Sequence, residues 1–300
     1  MLKSIHFLLT YTCLYECDHC FLYCSPRVSG TFTLEQLRNV FSEIKKIKSI
    51  DNVCFEGGEP FLYYPLLLES IRLATKQKLR SGIVSNAYWA TDVEDAGLWL
   101  KSMLKLNIDD ISVSDDAFHS GDEENSPAKK AYQAAKDLGF PVGTIRIDEP
   151  VVKNCESDFQ KKGEPVIGGN VKFKGRAAEL LTKDLPTKRF SNFKTCPYEE
   201  LEKPGRVHVD SFGHVHVCQG ISIGNIWKTP LSQIDSTYSA EKHPICGPLL
   251  KGGPAQLAKE YNIDIGDEFV DECHFCFYVR KALLDRFPEF LAPKQVYGIE

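Results

Sequence analysis

Two apolar rhythms alternate through the first half of the chain. Short apolar runs read as strands at Ile5–Thr10, Asn52–Glu56, Gly82–Ser85, Asp110–Ser114 and Val142–Ile147. Between them apolar residues recur every three to four positions, as on one face of a helix. Thr33-Leu34-Glu35-Gln36 is a capping box that opens such a helix, with Leu37, Val40, Phe41, Ile44 and Ile47 on one face. Further helices are expected near Leu66–Lys78 and Val93–Leu106. Ser126-Pro127 offers an N-cap followed by Pro at the first helical position, and Gly139 closes that helix. Lys153–Lys162 reads as one more helix and Asn170–Phe173 as a sixth strand. Strands alternating with helices predict an α/β fold: a parallel sheet with crossover helices.

After about Phe173 the rhythm changes. Gly, Pro and Lys become frequent through Lys188. A β-hairpin is then expected, with strands Arg206–Val209 and His214–Val217 around a turn at Asp210-Ser211-Phe212-Gly213. Helical pieces near Pro254–Tyr261 and His274–Phe287 complete a smaller second module. The 300 residues, 43% hydrophobic and 26% charged, fit one large or two ordinary globular domains. A net charge of −5 with scattered Lys and Arg argues against nucleic-acid binding. No apolar run is long enough to predict a membrane span. Met1-Leu2-Lys3-Ser4 leads into a strand with no signal-peptide pattern, so a cytoplasmic location is expected. Eleven Cys in such a chain point to metal or cluster binding before disulfides.

Cys13-Leu14-Tyr15-Glu16-Cys17-Asp18-His19-Cys20 places three of these thiols within eight residues, directly after the first strand. Iron–sulfur clusters are held by Cys thiolates, normally four, so three at this spacing leave one iron open to an outside ligand. Cys24 follows, and the four thiols together also have gaps that suit a structural zinc. Spacing alone leaves both readings open. Other unusual polar groups end the remaining strands. These are Glu56-Gly57-Gly58-Glu59-Pro60, then Ser85-Asn86, then Ser112, Ser114, Asp115 and Asp116, and finally Arg146. In parallel barrels chemistry collects at that rim. His119 reads either as a substrate contact or as a structural His, and Cys54 as a buried core thiol.

The Cys-x3-Cys-x2-Cys loop, followed at the next strand end by Gly57-Gly58-Glu59, resembles the radical S-adenosylmethionine (SAM) superfamily. The resemblance implies a partial (βα)6 barrel over residues 1–185, with Cys13, Cys17 and Cys20 holding a [4Fe-4S] cluster whose open iron chelates SAM. It further implies that Gly57, Gly58 and Glu59 meet the SAM amino group, and Ser85 and Asn86 its ribose or carboxylate. Ser112, Ser114 and Asp115 would be further SAM-facing groups, and Arg146 could pair with the SAM carboxylate. Cys196, then Cys218 after Gly213-His214-Val215-His216-Val217, then Cys273-x2-Cys276, resemble the twitch form of the SPASM extension. That implies a small α+β module over 186–300 carrying a fully ligated auxiliary [4Fe-4S] cluster. A zinc ribbon remains the alternative on spacing. No further Cys follows Cys276, so a second auxiliary cluster is not expected. Lys174-Gly175-Arg176-Ala177 resembles the junction sequence of such proteins.

The activity so implied is reductive cleavage of SAM to a 5′-deoxyadenosyl radical and hydrogen abstraction from a substrate C–H, ending in oxidation, crosslinking or another modification. A reductant such as ferredoxin or flavodoxin is implied as partner. The substrate is a small molecule or a peptide. The first strand begins near residue 4, leaving no room for the N-terminal peptide-binding domain of many relatives, so a peptide would be delivered by a partner. Two rivals stand beside this: an epimerase in which Cys155 or Cys246 returns the hydrogen, and a non-catalytic adaptor with two metal sites.

Overall fold

Strand β1 (Ser4–Thr10) lies inside the main sheet because both of its faces are covered. Ile5, Phe7 and Leu9 are fully buried, and Phe7 stacks between Phe41 and Phe55 at 5.3 Å each. The computed structural model describes residues 1–119, 124–154 and 165–299. After β1 come α1 (Leu34–Ile44), β2 (Asn52–Gly57), α2 (Tyr64–Lys76), β3 (Arg80–Ser85), α3 (Val93–Lys101), β4 (Ile108–Ser114), α4 (Pro127–Asp137) and β5 (Val142–Ile145). Thr33 and Gln36 form the expected capping box at the start of α1, whose Leu37, Val40, Phe41 and Ile44 pack inward. Strands β1 to β5 pair in sequence and in parallel, the α/β arrangement of a partial barrel.

The remainder comprises β6 (Val151–Asn154), β7 (Pro165–Gly168), α5 (Arg176–Leu180), β8 (Lys188–Arg189), β9 (Arg206–Asp210), β10 (His214–Cys218), β11 (Ile221–Asn225), α6 (Leu231–Thr237), α7 (Cys246–Tyr261), β12 (Glu268–Phe269) and α8 (Glu272–Ala282). The expected hairpin, β9 and β10, forms, but it does not stand apart. β9 pairs in parallel with β1, so the main sheet runs β11-β10-β9-β1-β2-β3-β4-β5. Buried Asp210, at the end of β9, accepts a hydrogen bond from Tyr11 Oη at 3.0 Å and lies 3.1 Å from His216 Nε2. The link ties the hairpin to the loop after β1.

Two expectations fail beside this region. Asn170–Phe173 forms no sixth strand. Its Val171 and Phe173 are buried in a separate small cluster with Ala177 and Val270, so their alternation serves packing. The helix expected from Lys153 is replaced at its start by β6, which pairs antiparallel with β7. Residues 155–162 of that expected helix, with Cys155, lie outside the described residues. Among the described residues no helix is long and apolar enough to cross a membrane.

One short segment holds the cysteine loop. Arg176 N–H donates to Cys20 O at 2.9 Å, and its guanidinium donates to Cys17 O at 2.7 Å and Cys24 O at 2.9 Å. Gly175 makes this approach possible. It sits at φ +62°, ψ −139°, and a Cβ there would lie 2.4 Å from Phe21 Cα. That backbone region is nearly exclusive to glycine, and strain in it costs about 1–3 kcal/mol. Gly175→Ala is therefore expected to lower the melting temperature by several degrees and to loosen the cysteine loop. Thermal unfolding of the apoprotein, with limited proteolysis of the loop, checks both.

Candidate active site

Gly57 and Gly58 let β2 cross directly beneath the cysteine loop. Gly58 N–H donates to Thr10 O at 2.6 Å and Glu59 N–H to Thr12 O at 3.0 Å. A Cβ on Gly58 would lie 2.1 Å from Thr12 O, so no larger residue fits without displacing the loop. The Glu59 side chain turns inward and is fully buried. Its carboxylate accepts from Phe61 N at 3.0 Å, Ser85 Oγ at 2.9 Å and Asn86 N at 2.7 Å. Burial pushes that carboxyl up to about 7, against these three donors. Asn86 in turn aims its amide N–H at Cys13 Sγ, 3.5 Å away, and Tyr15 N–H approaches the same sulfur at 3.4 Å. Ser85, Asn86 and Glu59 thus form one bonded unit under Cys13.

The loop opens onto a cavity of about 250 Å³ at the ends of the parallel strands. Cys13, Cys17, Cys20, Cys24, Gly57, Gly58, Ser85, Asn86 and Ser114 all line it. Expected site residues outside that lining are Glu59, Ser112, Asp115 and Arg146. Ser112 Oγ donates to Asp110, Asp115 accepts from Ser126 Oγ at the start of α4, and Arg146 Nε donates to Asp148 at 2.7 Å. Ile145 and Ile147, on either side of Arg146, line the cavity instead. Ser112, Asp115 and Arg146 each have a partner nearby in the chain, which strand-end position alone does not reveal.

Burial pushes the Cys13 thiol up to about 11 and Cys17 higher. Cys20 goes the other way, down to about 6, because the Cys24 thiol hydrogen-bonds its sulfur. Cys24 is itself driven up by that same bond. Thiols raised by burial become thiolates when a metal compensates the charge. Among the described residues no three thiols have their sulfurs all within 4.8 Å of one another.

Sequence reasoning named His119 and Glu56 but passed over His19 and the partners that hold all three at the cavity. His19, between two of the cysteines, lies edge-on to the His119 ring at 5.2 Å, and its Nδ1 is buried without a partner. His119 lines the cavity and is held by buried Asp116, with Nδ1 at 2.7 Å from Oδ1. Glu56 reaches the cavity from β2 and bonds His6 Nδ1 at 3.1 Å and His208 Nε2 at 3.0 Å. These three come from separate strands, united by the β1–β2 and β9–β1 pairings.

The second cysteine set also converges. Cys276 feels the charges of Cys196 and Cys218, and Cys273 those of Cys218 and Cys276. Arg280, 2% exposed, donates to the carbonyls of Gln219 at 3.0 Å and Cys276 at 3.3 Å and bonds the Cys276 sulfur, with no carboxylate among its described partners. Lys174 is buried as well. Burial works against its charge, but Cys218 and Glu199 outweigh burial and hold the ammonium above its ordinary value. Two buried cations facing four thiols call for anionic sulfur. Cys246 is a fifth thiol beside this set, bonded to Tyr238 and away from the cavity lining, so it is not placed to return hydrogen to a substrate there.

Residues 7–148 match the model of the Radical SAM superfamily. Over those residues the chain is similar to the radical SAM superfamily, whose members are enzymes. YydG of Bacillus subtilis (strain 168), provisionally named a peptide biosynthesis protein, is 22% identical over 263 residues, 87% of this chain and 74% of its own. MJ1632 of Methanocaldococcus jannaschii, provisionally named a glycyl-radical enzyme activating enzyme, is 26% identical over 106 residues, 35% of this chain and 37% of its own. The crystal structure of BtrN in complex with AdoMet and 2-DOIA shares the fold at 15% identity and a TM-score of 0.50, covering 78% of this chain and 82% of that one.

The Glu56, His6 and His208 cluster also makes a pH-dependent prediction. Burial alone would raise the Glu56 carboxyl, but hydrogen bonds from His208 and His6 outweigh it and hold the group below its ordinary range. A depressed carboxyl stabilises the fold above its unfolded value, and the contribution fades as pH falls through the folded one. Glu56→Gln is expected to cost about 2 kcal/mol at pH 7. The gap from wild type narrows once pH falls below about 4. Thermal unfolding of both proteins across pH checks the sign.

Proposed function

We propose that Cys13, Cys17 and Cys20 hold the [4Fe-4S] cluster and that SAM lies in the adjoining cavity, with the chain modifying a peptide. The observation that carries this is the cysteine loop opening onto a cavity floored by the Gly57-Gly58 backbone. When bound, the cluster supplies one electron that cleaves SAM to a 5′-deoxyadenosyl radical, which takes a hydrogen atom from a substrate C–H. The chain's own groups position and shield. Gly57 and Gly58 offer exposed backbone for the SAM amino group, and Ser114 offers a hydroxyl. Tyr15, His19 and Phe21 wall the cavity against water. Cys24, engaged with Cys20, serves as that ligand's hydrogen-bond donor and leaves the fourth iron free. The name of YydG supports a peptide over a small molecule.

In the same reading residues 1–185 form the catalytic domain and 186–300 an auxiliary module. Cys196, Cys218, Cys273 and Cys276 would hold a second [4Fe-4S] cluster, which would supply an electron acceptor for net oxidation or crosslinking. Ferredoxin or flavodoxin is the reductant, and a reducing cytoplasm suits ten described cysteines that are all free.

After anaerobic reconstitution the wild-type chain is expected to hold about eight irons, four per cluster. With dithionite and SAM it releases 5′-deoxyadenosine. Cys17→Ala holds about four irons and releases none. Cys24→Ala holds about eight and still cleaves SAM. Iron analysis with chromatography of the nucleoside reads all three. A Cys24→Ala chain that loses the first cluster would assign Cys24 as a fourth ligand and remove the open iron.

A further inference from the structure

The Lys174-Gly175-Arg176 segment touches both cysteine sets. Arg176 clamps the catalytic loop from one side. Two residues earlier, Lys174 points the other way, 8% exposed, with Nζ 3.7 Å from Cys218 Sγ, 2.6 Å from Gln219 Oε1 and 3.8 Å from Glu199 Oε1. Its ammonium also lies 5.1 Å from the ring of Phe21, which follows Cys20. Gln219 continues the contact inward, its Nε2 3.2 Å from His208 Nε2, and His208 meets Glu56 at the cavity floor. Lys174 is therefore a buried positive charge on the direct line between the cavity and the second thiol set.

We infer that Lys174 sets the reduction potential of the auxiliary cluster, holding it high enough to accept an electron from the substrate radical. The inference rests on the auxiliary-cluster reading above. Reduction adds one negative charge to a site already bearing four thiolates. A buried ammonium in contact with one of those sulfurs stabilises the reduced form, because a low-dielectric interior screens the attraction weakly. Hydrogen bonds to cluster sulfurs and nearby charge are the main means by which a protein tunes such potentials. Lys174 acts through the Cys218 sulfur and does not touch substrate, so it is a positioning residue. Of the other nearby cations, Arg280 spends its donors on backbone carbonyls, Tyr297 and Cys276, and Lys172 lines the cavity with its ammonium over the Tyr198 ring, so Lys174 is the one that touches Cys218 among the described residues.

The test is potentiometric EPR on reconstituted wild type, Lys174→Met and Lys174→Arg. In Lys174→Met the auxiliary signal is expected to shift to a more negative potential. The ratio of reduced to oxidised cluster at fixed potential falls about tenfold, about 59 mV for one electron. Lys174→Arg keeps the charge and stays near wild type, and the SAM-cluster potential is unmoved in both. Equal auxiliary potentials in wild type and Lys174→Met would overturn the inference while leaving the cluster reading intact. A wild type with only four irons and no second signal would overturn both. If Lys174→Met cannot hold the second cluster, retention by Lys174→Arg supports the charge role, and loss in both variants contradicts it.

Discussion

The site depends on two backbones passing closer than side chains allow. The loop carrying Cys13, Cys17 and Cys20 crosses Gly57-Gly58 on one side and meets Gly175-Arg176 on the other. At both crossings a Cβ would overlap main-chain atoms, and at both the contact is closed by hydrogen bonds to loop carbonyls. A loop held this way presents thiols at fixed separations without needing regular structure of its own.

Much of the architecture was legible from the chain itself. The apolar rhythm located β1 to β5 and their helices because β1 to β4 bury most of their apolar residues and each helix buries one face, while β5 is at most half-buried. Capping signals at Thr33 and Ser126 marked helix starts that the structure keeps. What failed was context. Val171 and Phe173 alternate like a strand, yet they fill a satellite cluster under α5. The hairpin at β9 and β10 was readable from its Val alternation, but nothing in the sequence said that β9 would dock on β1 and extend the catalytic sheet.

The site followed the same division. The cysteines and the Gly57-Gly58 pair were visible because their chemistry fixes their spacing. Polar residues at strand ends were less informative, since Ser112, Asp115 and Arg146 satisfy themselves locally while Ser85, Asn86 and Ser114 reach the cavity. The Glu56, His6 and His208 cluster and the Lys174 contact with Cys218 were invisible, because their members lie far apart in the chain and meet only through the sheet order.

The central claim is that one iron at the Cys13 loop has no protein ligand and receives SAM. The direct measurement is EPR of the reduced Cys273→Ala chain, in which the catalytic cluster is read alone, with and without saturating SAM. The account predicts that SAM shifts the g-values of the cluster signal as it binds the open iron. A signal identical in the presence and absence of SAM would contradict it.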